Sequence, residues 1–492
     1  MSKSQNLSSD FFASIIVFLI AFPLCLGVAL ASGVDPIKGI FAGIIGGAVV
    51  GLFSGAPLQI SGPSPGLAVM VFHVVDLYGP QALIPLGLTI GAFQIATGSF
   101  KVAHFFQATP PALLKAMLSG IGVLICMAQL YILFDLKMSS NGLTNLSGLP
   151  TIFTNIVTGN LSTVQAHSGL IGLFVIVVLT FWSFGKHKIF ELIPGPLVAI
   201  TSAAVLTFAL GLDIKMIELP KDIMGQAFNL NYVQAISSVG LDFYIYAIGV
   251  AFVASAETLL CVSAVDKMAK TTSNYNKQIV AQGIGNITSG LVGAIPIVGV
   301  IVRSAANIEF GAKTQLSSIL LGVWIGIFLL IPGVLGFIPI AALAGLLIYT
   351  GIKLFDFLHI LNYVKKYNKT SLIFFSTFIL TVAVDLLAGV ATGFAIAVFI
   401  LVYDVLKFDL EVQDQGDNKV LKFHGKLSFL NLPVVSKKLR GQDLDGITNL
   451  DICLQEVEYL DPAMSEHISE LRDKLEAEGK NIEIHYSKFK IH

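Results

Sequence analysis

The sequence predicts an all-α membrane protein that ends in a small α/β domain, and three observations predict it. The 492 residues are 55% hydrophobic and only 12% charged, against about 25% charged in ordinary soluble domains. Apolar runs near the roughly 20 residues that a spanning helix needs recur from residue 11 to 406. After residue 408 the apolar runs stop, and short alternating stretches surround one amphipathic helical pattern.

Segment 1 (about 11–31) follows a polar start, MSKSQNLSSD, and has no small-residue cleavage site, so it reads as a first transmembrane helix and not a removed signal. Pro23 interrupts it. Segment 2 (37–54) carries Gly39, Gly43, Gly47, Gly51 and Gly55 on one face, a small-residue packing stripe. Segment 3 (64–77) is short and opens "GPSPGLAVMV". Its His73 and Asp76, three apart, read as a structural hydrogen-bonding pair. Segments 4 to 7 follow at 80–99, 108–134, 168–184 and 193–211, with 136–167 read as an external loop.

Segment 8 (244–263) contains Glu257 within "AFVASAETLLCVSAVD". Segment 9 (275–294) carries Gln282 and Asn286 one turn apart, read as bridging helices. Segment 10 (300–310) is again short and begins in "AIPIVGVIVR". Segments 11 to 14 fall at 315–331, 335–351, 370–387 and 389–406, with Asp385 at an outer helix end.

Lysine placement orients this fourteen-segment chain, because cytoplasmic loops are enriched in basic residues. With the N-terminus inside, Lys101, Lys186, Lys188, Lys267, Lys270, Lys277, Lys313, Lys353, Lys365, Lys366, Lys369 and Lys407 are cytoplasmic. Only Lys38, Lys137, Lys215 and Lys221 fall outside, so both termini are expected in the cytoplasm.

The two short segments share Pro-x-x-Gly: Pro63 and Pro296, and likewise Gly66 and Gly299, are 233 residues apart. With the predicted orientation this indicates a 7+7 inverted repeat, about 11–211 and 244–406, with two half-helix N-termini opposed near mid-membrane. Such ends carry unpaired N–H groups and about half a positive charge each, which makes an anion cradle. Arg303, the only arginine before Arg440, lies one turn beyond Gly299 and adds a full positive charge. Intramembrane charge costs at least ~2.5–3.5 kcal/mol on insertion scales, so it reads as functional by default. Glu257 is expected to face the Pro23 interruption of segment 1. In low dielectric an unpaired carboxylate favours its neutral form, which makes Glu257 a candidate proton carrier. The alternative is a static Glu257–Arg303 ion pair joining two helices.

In the tail, "KVLKFHG", "LDICLQEV" and "NIEIHY" read as strands and "PAMSEHISELRDKLEAEG" as a helix. Asp461 is its N-cap, Pro462 its first residue, and Met464, Ile468, Leu471 and Leu475 its buried stripe. A net charge of −1 gives no basic face for nucleic acid. Cys25, Cys126, Cys261 and Cys453 are far apart, which argues against a disulfide framework or zinc site. No Walker, nucleophile-elbow or metal motif is present, so neither an enzyme nor a cofactor is expected.

These residues resemble the SulP sulfate permease family of anion transporters over nearly the whole chain. The resemblance rests on "AFPLCLGVALASGVDPIKGIFAGIIGG", "QISGPSPGLAVMV", "ASAETLLCVSAVDKMA" and "QGIGNITSGLVGAIPIVGVIVRSAANIEFGAKT", and on a tail similar to STAS domains around "LDICLQEVEYLDPAMSEHISELRDKLEAEG". It implies core and gate domains over 1–407, a STAS-like cytoplasmic domain over 408–492, a homodimer, and a substrate between segments 1, 3, 8 and 10. By position it implies Arg303 near the anion and Glu257 in coupling, with Ser64, Gly66, Gly299, Val300 and Ser304 on the cradle and Phe22 as a wall. The region is most similar to bacterial bicarbonate-type members. Their sodium-dependent branch is expected to place hydroxyls where Ala68 and Ile301 stand here, which favours a proton over sodium. Family tails often place Ser or Thr after the helix-capping Asp, whereas Pro462 stands here.

The resulting expectation is a multi-pass inner-membrane secondary transporter of a small inorganic anion, bicarbonate or sulfate, proton-coupled and working by elevator movement. Its rivals are an uncoupled anion channel or exchanger and a nucleobase permease of the same architecture.

Overall fold

The computed structural model describes residues 3–103, 110–138, 142–185, 193–218, 230–331, 333, 336–355, 369–406, 408–415, 418–440 and 448–486. Lys186, Lys188, Lys221, Lys365, Lys366 and Lys407, used above for orientation, lie outside the described residues, as do 108–109 of segment 5 and 335 of segment 12.

A helix stands at each of the fourteen apolar segments. They are α1 (Lys3–Ala31), α2 (Pro36–Phe53), α3 (Pro65–Tyr78), α4 (Leu83–Ser99), α5 (Pro111–Leu133), α7 (Thr163–Phe184) and α8 (Gly195–Ala209) in the first half. The second half has α10 (Leu241–Ala269), α11 (Tyr275–Leu291), α12 (Ile301–Glu309), α13 (Leu316–Leu329), α14 (Ile340–Leu354), α15 (Lys369–Ala383) and α16 (Leu386–Leu406). Seven described helices are long and apolar enough to cross a membrane by length and composition. Outward-facing Phe181, Phe184, Phe208 and Leu170 are all more than 60% exposed, as suits a lipid-facing surface. This is a multi-pass membrane protein.

Two further helices lie between these segments, α6 (Gly142–Thr158) and the short α9 (Tyr232–Ser237). The first corrects the expected loop at 136–167. Leu143, Leu146, Leu149, Ile152 and Ile156 recur at helical spacing, and Ile152 is buried while Leu143 and Leu146 stay about half exposed. The Tyr131 hydroxyl anchors α6 by donating to the Asn145 carbonyl at 2.8 Å.

Helices α1–α4 and α10–α13 pack on one another, and α5, α7, α8, α14 and α15 form a second group; α1 and α3 touch that group at α14, α8 and α5. The glycine stripe of α2 is a packing surface: Gly39 and Gly43 lie against Cys25 of α1, and Gly47 and Gly51 against α13. Within α2 a π-turn spans Ile45–Val49, and it packs beside the strand that leads into α3.

Packing divides the chain into two compact units, Met1–Phe394 and Ala395–His492, so the break falls inside α16, ahead of the composition break. In the second unit β3 (Phe408–Gln415), β4 (Asn418–Leu427), β5 (Asn449–Leu460) and β6 (Asn481–Tyr486) form one sheet in chain order, with β3–β4 antiparallel and β4–β5–β6 parallel. Two helices, α17 (Leu432–Arg440) and α18 (Pro462–Ala477), complete it. As expected, Asp461 caps α18 by accepting the Met464 N–H at 2.8 Å, and Met464, Ile468 and Leu475 are buried. Strand β3 and helix α17 were not anticipated.

Candidate functional site

Two irregular stretches cross in the interior of the first unit. Prolines at 57, 63, 65 and 296 keep them from continuing as helix. They meet as an antiparallel pair, β1 (Ser61–Gly62) on β2 (Val298–Gly299), with Ser61 opposite Gly299 and Gly62 opposite Val298. Each strand leads directly into a helix, α3 from β1 and α12 from β2. Antiparallel strands send those helices in opposite directions, so both N-termini face back on the shared pair. The helix starts, Pro65 and Ile301, are 236 residues apart. The 233-residue match of the two Pro-x-x-Gly stretches is therefore out of register: Pro63 directly precedes the cap of α3, whereas Pro296 lies four residues before that of α12.

Backbone groups in an irregular buried segment need partners, and α11 supplies many of them from one face. Gln278 Oε1 accepts the Gly55 and Ala56 N–H groups at 2.8 and 3.0 Å. Gln282 Oε1 accepts the Ser61 hydroxyl at 2.9 Å. Asn286 brackets Ile297, accepting its N–H at 2.8 Å and donating to its carbonyl at 2.9 Å. Ser289 donates to the Ile295 carbonyl at 2.7 Å. Gln282 and Asn286 thus hold irregular chain; Asn286 also bridges to Gln94 of α4 at 2.9 Å.

The two helix starts are finished differently. Ser64 caps α3: its hydroxyl accepts the Gly66 N–H at 3.1 Å and donates to Glu257 of α10. Val300 caps α12 without a side-chain hydrogen bond, and among the described residues the N–H groups of Ile301, Val302 and Arg303 have no partner. Arg303 is only 1% exposed and reaches across to the chain just ahead of α3, donating from Nη2 to the Pro63 carbonyl at 3.2 Å. Its Nε is without a partner among the described residues, as is Glu257 Oε2.

Glycine makes room for both charges. A Cβ at Gly62 would lie 2.3 Å from Arg303 Nη1, and one at Gly66 would lie 3.0 Å from both Glu257 carboxylate oxygens. Among the described residues no ion pair joins Glu257 to Arg303, so the static-pair alternative does not describe this arrangement. The hydrogen-bonding partner of Glu257 is Ser64 on α3, and not a group at the Pro23 interruption.

Several expected cradle positions are engaged inward. The Gly299 N–H is given to the Thr258 hydroxyl at 3.2 Å, and a Cβ there would lie 1.6 Å from Gln59 Nε2. The Val300 N–H is given to the Ile60 carbonyl at 2.9 Å. The Ser304 hydroxyl accepts the Ile60 N–H at 2.9 Å and donates to the Val300 carbonyl at 2.8 Å. Ala68 is buried, Ile301 is 37% exposed, and Phe22 packs edge-on against Phe328 of α13. Residues that sequence reasoning passed over are Gln59 and Thr258, which brace β2, and Val302, whose N–H is one of the free donors of α12. Thr258 was signalled by its place beside Glu257 in an apolar helix; the other two carried no signal. His73 packs tilted against Tyr246, with ring centroids 5.3 Å apart, and Asp385 caps α16 by accepting the Ala388 N–H.

The arrangement brings together free helix-start donors, a buried guanidinium and a half-buried carboxylate. Among relatives, the candidate sulfate transporter YvdB of Bacillus subtilis (strain 168) is 27% identical over 80% of this chain and 73% of its own length. The bicarbonate transporter BicA of Picosynechococcus sp. (strain ATCC 27264 / PCC 7002 / PR-6) is 27% identical over 84% of this chain and 74% of its own. The solved transmembrane domain of a cyanobacterial BicA superposes with a TM-score of 0.67 at 26% identity, covering 79% of this chain and 98% of that one. The model of the sulfate permease family matches residues 7–377, and the chain belongs to that family.

Proposed function

We propose that this protein is a secondary active transporter that moves a small inorganic anion, bicarbonate or sulfate, together with a proton. The carrying observation is that a buried Arg303 and a half-buried Glu257, whose Oε2 is shut off from solvent, flank the crossing of β1 and β2 without being paired to each other. The anion binds at the open first turn of α12, where Ile301, Val302 and Arg303 offer N–H groups and Arg303 adds its charge. Ser64, Gly66 and Ala68 form the opposing wall on α3, Gly299, Val300 and Ser304 fix the α12 start, and Phe22 closes the side toward α1.

Coupling follows from charge. With Glu257 ionised, its charge offsets that of Arg303; with Glu257 protonated, the cradle is net positive and holds an anion more tightly. Anion and proton therefore load together. Movement is of the elevator type, the α1–α4 and α10–α13 group sliding against the α5, α7, α8, α14 and α15 group. Fourteen crossings with cytoplasmic termini, an inner-membrane location, a homodimer and a STAS-like role for the tail complete this reading.

Labelled bicarbonate, sulfate and uracil are offered to proteoliposomes with pH and sodium gradients set independently. Accumulation of an inorganic anion driven by an inward proton gradient is the expected result. Uracil uptake, or anion flux without accumulation, would replace this reading with a nucleobase permease or an uncoupled conductor.

A further inference from the structure

The tail sheet creates an arrangement that no sequence spacing reveals. Across the parallel β5–β6 pair, Asp451 stands directly opposite Glu483, and Cys453 opposite His485. Ile452, Leu454 and Ile482 belong to the tail's core, so the alternating residues Asp451, Cys453, Glu483 and His485 share the sheet's other face. One carboxylate oxygen of Asp451, one of Glu483 and a ring nitrogen of His485 all lie within 4.8 Å of one another.

Like charges directly opposite each other destabilise a sheet, and no lysine or arginine in register relieves this pair. The β4 residue opposite Asp451 is Val420, and Lys422 stands opposite Cys453. Among the described residues the one basic side chain within 4.0 Å of either carboxylate is His485 itself, with Nε2 4.0 Å from Glu483 Oε1. The His485 and Glu483 side chains are 40% and 71% exposed, so an ion reaches them from solvent.

We infer that this face of the tail binds one divalent transition-metal ion of the zinc class, with Asp451, Glu483 and His485 as its protein ligands. Imidazole with carboxylates suits such ions, and two carboxylates match their charge. Tetrahedral ligands about 2.0–2.2 Å from one zinc lie about 3.3–3.6 Å apart, so side-chain rotations that draw the three ligand atoms about 1 Å closer complete the triad. Water completes the shell. The ion clamps β6, the edge strand of the described sheet, to β5. This inference is independent of the transport reading and rests on the tail alone.

The test titrates Zn²⁺ into the full-length, detergent-solubilised protein against a fluorescent chelating indicator. One saturable site is expected in the wild type. Asp451→Asn and His485→Gln should each weaken it at least about tenfold, as expected for loss of a ligand, while Cys453→Ser should bind as the wild type. Hydrogen exchange followed by mass spectrometry supplies a second readout: Zn²⁺ should slow exchange of residues 481–486 in the wild type and not in Asp451→Asn. Equal affinity in wild type and both ligand variants overturns the inference. Zinc uptake without slower exchange at 481–486 overturns it too, because the ion then sits at an adventitious site. Should a variant unfold the tail, its metal-free exchange shows it, and the wild-type comparison with and without Zn²⁺ decides.

Discussion

The Ser64 hydroxyl is shared between the start of a helix and a carboxylate: it accepts the Gly66 N–H and donates to Glu257. On the proposed coupling, a proton arriving at Glu257 would act at the capped end of α3, opposite the open start of α12. Replacing Glu257 with Gln keeps the size and the contact with Ser64 but fixes the neutral form. Anion uptake by Glu257→Gln should persist as exchange, while its dependence on an imposed pH gradient disappears. Uptake that still follows the gradient as in the wild type would remove Glu257 from coupling.

Among the described residues, Arg303 supplies the only full positive charge at the crossing. A hydrogen bond to a charged group contributes about 1.5–3 kcal/mol, so Arg303→Ala should weaken anion binding by roughly 10- to 150-fold. Arg303→Lys keeps the charge but loses the planar fork and should fall between the two. Concentration dependence of labelled anion uptake reads this directly, and an unchanged KM in Arg303→Ala sinks the assignment.

Gly62 leaves the space that the guanidinium occupies. A methyl at this position would lie 2.3 Å from Arg303 Nη1, which is the mobile end of a side chain and not backbone. Gly62→Ala should therefore displace Arg303 without unfolding the crossing, at an overpacking cost of about 1–3 kcal/mol. The expected signature is a KM raised several-fold with little loss of folded protein on size-exclusion chromatography. Wild-type KM in this variant would mean that Arg303 works equally well elsewhere.

Asn286 makes three hydrogen bonds, two of them to the backbone of Ile297 and one to Gln94. Asn286→Ala leaves buried backbone groups unmet, at about 1–3 kcal/mol each. The melting temperature in detergent should drop clearly, and the fraction still folded should lose uptake because β2 no longer fixes α12. A stable, fully active Asn286→Ala protein would show that β2 is held by other contacts.

The sequence made part of this site legible because charge and proline stand out against an apolar background. Glu257 and Arg303 are conspicuous in runs of Ala, Val and Ile, and Pro63 and Pro296 mark broken helices. What stayed hidden depends on pairing across the chain. That the Ser304 hydroxyl is already engaged follows from Ile60, 244 residues away, and no local pattern shows it. The same holds for the inward use of the Gly299 and Val300 N–H groups, and for the 236-residue register of the helix starts. Helix α6 was missed because Asn, Ser and Thr between its leucines look like loop composition when only long apolar runs are sought. In the tail, Asp461 with Pro462 announced α18, whereas Asp451 and Glu483 became neighbours only through sheet register.

The oxygen inventory around Glu257 separates sodium from proton coupling. A hard cation needs several oxygen ligands at once. The Ser64 hydroxyl is committed to Glu257 and Gly66, the Thr258 hydroxyl accepts the Gly299 N–H, and the Ser304 hydroxyl is bound to Ile60 and Val300. Ala68 and Ile301, in the first turns of α3 and α12, bring no oxygen in their side chains. Among these side chains this leaves the carboxylate as the one uncommitted oxygen ligand, a poor set for sodium but sufficient for a proton, which needs one acceptor. Replacing external sodium with choline at fixed pH should therefore leave anion uptake unchanged, whereas an inward proton gradient should raise it. Uptake that collapses in choline would mean that backbone carbonyls complete a cation site, and would replace the proposed proton-carrier role of Glu257 with that of a cation ligand.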